Sequence, residues 1–297
     1  MRLLRGLPDL AAEDKGTVLA IGNFDGMHLG HRIVIEGALK TATDLGTSLS
    51  VLTFEPHPRR FFRPDDPAFC LTSLARKAEI LGELGVRCLI ALSFDDSLAS
   101  MPAPAFVSDI VAGALGAKHV VVGYDFAFGR KRAGNADLLR DMGRDSGFGV
   151  SIVEPALSQP GEPYSSGRVR DHLAAGRPVD AARILGRWWR IEAVVQQGEA
   201  RGAGLGYPTA NLNLGDYLEP AHGIYAVRAA IADDQVRRDA VASLGTRPTF
   251  DGQGVILEVH LLDFSGDLYG QTLHVDFIDY LRPEEKFSSA DALKTQM

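Results

Sequence analysis

Apolar and polar positions follow two different rhythms along this chain. TVLAIG (17–22) is a short apolar run with β-branched residues that ends at a glycine. RIVIEGALKTATDLG then repeats apolar positions at helical spacing and ends on Gly46, as a helix C-cap does. SLSVLTFEP (48–56), VRCLIALSF (86–94), AKHVVVGYDF (117–126) and FGVSIVEP read as further strands. LTSLARKAEILGELG (71–85), PAFVSDIVAGALG and NADLLRDMGRDSG read as helices between them, with Thr72 or Ser73 as the N-cap of the first. Strands and helices alternating at this spacing predict βαβ units and an α/β domain whose parallel sheet is covered by helices.

The rhythm changes after SGRVRDHLAAGRPVDAARILG, a last helical stretch ending at Gly186. WRIEAVVQQG, GIYAVRAAIA, DAVASLG, VILEVHLLDF and QTLHVDFIDYL alternate apolar and polar residues at period two, separated by Gly, Asp and Pro clusters. That pattern predicts a mainly antiparallel β-barrel. The expected organisation is two domains, 1–185 and 186–297.

Composition narrows the function classes. The 297 residues are 45% hydrophobic and 23% charged, enough for one large core or two ordinary ones. A net charge of -7 argues against a general nucleic-acid binder but leaves room for a local basic pocket. The start MRLLRGLPDLAAEDKG lacks the apolar segment of a signal peptide, and no run approaches the roughly 18 apolar residues of a membrane span. The expected setting is the reducing cytoplasm, with Cys70 and Cys88 as thiols and no nucleic-acid or membrane partner. A homo-oligomer is compatible with the sequence.

The stretch AIGNFDGMHLGH (20–31) follows the first strand and opens the first helix. That is the carboxyl edge of a parallel sheet, where open α/β folds bind ligands. Gly22, Gly26 and Gly30 permit tight turns and close backbone approach. A helix N-terminus near 28–31 offers N–H donors and partial positive charge, and His28 and His31 can add donors for phosphate oxygens. Zinc ligation fits less well, because the pair has no obvious Cys partner.

GNFDGMHLGH resembles the HxGH signature of nucleotidylyltransferases, and in its longer form that of the bacterial bifunctional riboflavin kinase/FMN adenylyltransferase (FAD synthetase) family. LTFEPHPRRFF (52–62), VVGYDFAFG (121–129), GYPTAN (206–211), LGTRPTF (244–250) and EVHLLDFSGDLYG (258–270) are similar to further blocks of that family, in its order. The resemblance implies a Rossmann-like nucleotidylyltransferase domain followed by a six-stranded flavokinase barrel. The first would transfer AMP from ATP to FMN, giving FAD and pyrophosphate. The second would phosphorylate riboflavin with ATP, and both would use Mg²⁺.

The resemblance also implies site residues. His28 and His31 would hold ATP phosphates, with Gly22, Asn23, Phe24, Asp25 and Gly30 forming the turn; Asp25 as a plain turn or cap residue stays open. Gly123 and Asp125 match a nucleotide- and flavin-binding block, whereas Phe126 and Phe128 are expected in the core. His57, Arg59 and Arg60 follow the second strand as candidate phosphate contacts or surface charge. YSSGRVR (164–170) is similar to the family's ISSTxIR, so Ser165, Ser166 and Arg170 would form a second phosphate grip. Arg201, Gly202, Gly206, Pro208, Thr209 and Asn211 match the flavokinase loop over ATP, with Thr209 and Asn211 on Mg²⁺, and Glu258 matches the general base on the riboflavin 5′-hydroxyl.

Four features depart from the family pattern: Gly167 in place of Thr, Ala203 in place of Arg, Ser243 in place of Asn, and a shorter C-terminal end at Met297. They leave two rival readings: an enzyme with only one active half, or a non-catalytic flavin-binding regulator.

Overall fold

Strands β1 (Arg2–Leu4), β2 (Val18–Ile21), β3 (Leu49–Glu55), β4 (Cys88–Ser93), β5 (His119–Gly123) and β6 (Gly149–Val153) form one parallel sheet in the order β1-β4-β3-β2-β5-β6. The computed structural model describes residues 1–197, 208–232, 234, 236–249 and 252–285. Helices α1 (Leu29–Asp44), α3 (Leu74–Glu83), α5 (Ala103–Ala105), which runs on in wider π-type turns over Phe106–Ala114, and α6 (Ala136–Ser146) follow the predicted stretches, while the five-residue helices α2 (Pro58–Phe62) and α4 (Asp96–Ser100) lie outside them.

The strands read as apolar on both faces because both faces are covered. Val18, Ala20, Val51, Leu89 and Val121 pack with Ile35 and Ala38 of α1 and Ile80 and Leu81 of α3. Leu19, Ile21, Leu52, Ile90, Val120 and Val122 face the other way, onto Phe106, Val107, Val111 and Leu139. Each such buried aliphatic side chain contributes about 2 kcal/mol. Two short strand features lay below the sequence signal: β1, and a hairpin of β7 (Leu157–Gln159) with β8 (Glu162–Pro163). Strands of two or three residues are too short to show a period.

The second half forms a closed antiparallel barrel from β9 (Trp189–Gln196), β10 (Ala210–Asn213), β11 (Gly223–Ile231), β12 (Arg238–Thr249), β13 (Gly252–Leu261) and β14 (Thr272–Arg282). Their order around it is β10-β13-β12-β11-β14-β9. Alternate residues fill its interior, among them Trp189, Ile191, Leu212, Tyr225, Leu244, Leu257, Val259, Val275 and Phe277. The helical stretch before it, expected as one element, is two: α7 (Ser166–Ala174) and α8 (Pro178–Leu185). Gly176 at φ +67° turns the chain between them, and Pro178 at the first position of α8 cannot continue a helix from before it.

Two compact units result. The first is Met1–Asp66 with Leu74–Ser165; the second is Pro67–Ser73 with Ser166–Met297. By packing, α7 and α8 group with the barrel, although the change of sequence rhythm falls after them. The reason is that α8 buries Ala181, Ile184 and Leu185, an apolar stripe whose partner no local pattern reveals. The segment 67–73 also belongs to the second unit. Cys70 N–H donates to the Asp216 carbonyl (3.0 Å), Leu218 N–H to the Cys70 carbonyl (2.8 Å) and the Trp189 indole to the Leu71 carbonyl (3.0 Å).

Candidate active sites

In the first unit β2 has β3 on one side and β5 on the other, so the chain leaves β2 at a topological switch point of the sheet. GNFDGMHLGH fills that turn. Phe24 (φ +49°) and Met27 (φ +44°) are non-glycine residues in the left-handed region, and both are buried in the core. Gly26 (φ +81°) sits between them. Held in this way, the turn ends on His28, the N-cap of α1.

The His28 Nδ1 accepts from the His31 backbone N–H at 3.3 Å. A ring that accepts at Nδ1 carries its proton on Nε2, which leaves Nε2–H as a donor. The His28 and His31 rings stack with centroids 3.6 Å apart, and the Phe24 ring meets His31 edge-on at 5.3 Å. A side chain on Gly30 would crowd this pair, because a Cβ there would lie 3.1 Å from the His28 ring and from the Tyr164 Cβ. Asp25 and His28 are buried, at 5% and 6% exposure. The helix cap is His28 rather than Asp25.

Two residues outside the motif hold it. The Lys77 Nζ donates to the Asn23 carbonyl (2.7 Å) and to the Thr53 Oγ1 (3.3 Å), and the Thr53 hydroxyl donates to the same carbonyl (3.2 Å). Sequence reading took the helix of Lys77 as scaffold only. The signal was there: Leu74, Lys77 and Leu81 share one helix face, and a lysine at a core position breaks the pattern.

The remaining first-unit candidates divide. Gly123 ends β5, and a Cβ there would lie 3.2 Å from the Asp125 carboxylate, which is exposed beside it. Phe128 is buried and Phe126 stacks on it at 5.3 Å, the core packing expected for both. His57 caps α2, while Arg59 pairs with Asp66 (3.1 Å) and Arg60 donates to the Pro64 and Asp66 carbonyls. Both guanidinium groups thus brace their own loop.

Ser165 closes the first unit, whereas Ser166 and Arg170 lie at the start of α7 in the second. The Arg170 Nε donates to the Phe69 carbonyl (2.9 Å), and its guanidinium lies 5.4 Å from the Phe69 ring centre. Gly167, where a hydroxyl is absent, is exposed in the first turn of α7.

In the barrel the strand register brings the kinase candidates together. Asn211 on β10 is directly opposite Glu258 on β13, and Glu258 is directly opposite Ser243 on β12. Leu212, Leu257, Val259 and Leu244 point into the barrel, so Asn211, Glu258 and Ser243 form a row on its outer face. Thr209 immediately precedes β10. The His260 Nδ1 donates to the Pro208 carbonyl at 2.8 Å, which ties the entry of this strand to β13. One pleat further along the same face, a cleft of about 260 Å³ opens between Gln196, Asn213, Tyr217, Gly254 and Ile256. Arg201, Gly202, Ala203 and Gly206 lie outside the described residues. Among the described residues no group of three or more His, Cys, Asp or Glu side chains could hold a metal ion.

Comparison with known proteins matches each unit. Residues 10–168 match the family described as FAD synthetase and residues 185–297 that described as riboflavin kinase. A bifunctional riboflavin kinase/FMN adenylyltransferase of Pseudomonas fluorescens is 42% identical over 296 residues, covering 99% of this chain and 94% of that protein. Its counterpart in Escherichia coli K12 is 37% identical over 298 residues, covering 100% and 95%. A crystal structure of a Streptococcus pneumoniae protein named for macrolide efflux has a TM-score of 0.86 at 32% identity, covering 99% of this chain and 95% of that one. The efflux name belongs to that protein; the likeness is one of fold. With both domain families matched in order and curated relatives aligned end to end, the chain belongs to the bifunctional riboflavin kinase/FMN adenylyltransferase family.

Proposed function

We propose that the first unit joins AMP from ATP to FMN on the His28–His31 turn, and that the barrel phosphorylates riboflavin across the Asn211–Glu258 row. The observation that carries this division is that each constellation lies wholly within one unit: the histidine pair at the switch point of the sheet, the polar row on the barrel face.

At the first site the two stacked imidazoles stand beside the N-terminus of α1. Donors fixed before the reaction stabilise the negative charge that builds as pyrophosphate leaves, without reorganising during the step. At the second, Glu258 accepts the proton of the riboflavin 5′-hydroxyl as that oxygen attacks the γ-phosphorus. Thr209 and Asn211 offer a hydroxyl and an amide oxygen. This neutral hard-donor set suits a magnesium ion whose other ligands are phosphates and water, and the ion would neutralise phosphate charge. A cytoplasmic setting belongs to the same proposal, supported by Cys70 and Cys88 forming no disulfide.

The test separates the halves. Glu258→Ala is expected to abolish phosphorylation of riboflavin and leave adenylylation of supplied FMN at the wild-type rate. Unchanged riboflavin turnover in that variant would remove Glu258 from the mechanism.

A further inference from the structure

Lys77 is 5% exposed, on the face of α3 that packs against the sheet core. A lysine ammonium at such depth loses its hydration and persists only where acceptors replace the water. Two are the Asn23 carbonyl at 2.7 Å and the Thr53 hydroxyl at 3.3 Å. Thr53 is fully buried and donates to the same Asn23 carbonyl, so three groups close a triangle under the entry of the turn. Directly after Asn23 the chain takes two left-handed non-glycine conformations, at Phe24 and Met27. Such a conformation holds only where surrounding contacts over-determine it. On the other side of the strained segment lies His28, whose ring caps α1 and stacks on His31.

We propose that Lys77, backed by Thr53, is a positioning residue for adenylyl transfer: it clamps the Asn23 carbonyl so that the strained turn delivers His28 and His31 in register for the nucleotide phosphates. Lys77 touches neither nucleotide nor flavin in this account; it acts through the turn. The inference rests on the reading of the histidine pair given above.

The experiment uses the full-length protein, whose kinase half serves as an internal control. Lys77→Met keeps the stem and removes the donors. Misplacing reacting groups by about 1 Å costs about 10²-fold in rate. The expected result is a kcat for FAD formation lowered about 10²-fold, a KM for FMN within about threefold of wild type, and riboflavin phosphorylation unchanged. Lys77→Arg, which restores donors at the same depth, is expected to recover most of the loss. Residues acting as a unit are non-additive. The double variant Lys77→Met/His31→Ala is therefore expected to be little slower than His31→Ala alone, an outcome that a merely structural lysine would not produce.

If Lys77→Met does not fold, Thr53→Val against Thr53→Ser decides. The serine is expected to keep FAD formation and the valine to lower its kcat. The proposal is overturned by wild-type FAD formation in the lysine variant or, should that variant not fold, in Thr53→Val. Losses at Lys77 and His31 that simply multiply also overturn it. Full FAD formation in His28→Ala/His31→Ala would instead overturn the reading of the histidine pair itself.

Discussion

At the scale of single residues, the proposed adenylyl-transfer site lies where local rules are broken. His28 serves as a helix cap, a role that serine, threonine, asparagine and aspartate usually fill, and its ring is buried against a second histidine. The double variant His28→Ala/His31→Ala is expected to lose FAD formation completely while FMN formation from riboflavin persists; paired assays on one preparation check this. The histidine pair was legible in the sequence because its spacing and its place after a strand are local facts. Glu258 was legible only through resemblance. Alternation along β13 says that it shares a face with every second residue, but not that Asn211 and Ser243 stand opposite. That register is a property of three strands distant in sequence. Lys77 and Thr53 went unread because the carbonyl they share lies on a different element from either.

At the scale of elements, strands and most helices came from periodicity, and what escaped were edges and couplings. β9 and β14 are joined across a buried bidentate pair, Arg190 Nε to Asp276 Oδ1 at 2.7 Å and Nη2 to Oδ2 at 3.2 Å. Both side chains are less than a tenth exposed. Removing one partner breaks this buried pair, so Asp276→Leu alone is expected to destabilise the second unit by about 3–5 kcal/mol. The double replacement Arg190→Met/Asp276→Leu is expected to cost much less. Both tryptophans of the chain, Trp188 and Trp189, lie in this unit, so denaturant titration followed by tryptophan fluorescence reads it selectively. Equal losses in the single and double variants would show that the charge itself, rather than its isolation, is what matters. The pair was invisible in sequence because 86 positions separate its members.

At the scale of the whole molecule, each unit carries a partly buried histidine whose pKa is lowered. Burial lowers the pKa of His119, whose Nε2 lies 2.8 Å from the Ser151 hydroxyl. Burial, and then the nearby Arg177 charge, lower that of His172. Because the folded values fall below the ordinary 6.5, the unfolded chain binds these protons more readily. The contribution of these two histidines to stability is therefore fully present above about pH 6.5 and is lost as pH falls through the lower folded values. Calorimetry at about pH 7.5 and pH 5.5 is expected to show lower melting temperatures for both units in acid, with His119→Gln reducing the change in the first unit alone. The two-part organisation was legible as a change of rhythm near residue 186, but membership of α7, α8 and 67–73 in the second unit rests on packing that no run of residues encodes.

The central claim is that one chain carries two separable sites acting in series. The most direct measurement is a chromatographic time course of flavins formed from riboflavin and MgATP by the wild type and by His28→Ala/His31→Ala. The wild type is expected to form FMN first and then FAD, and the double variant to stop at FMN. FAD from the double variant, or loss of FMN formation in a still-folded one, would contradict the account.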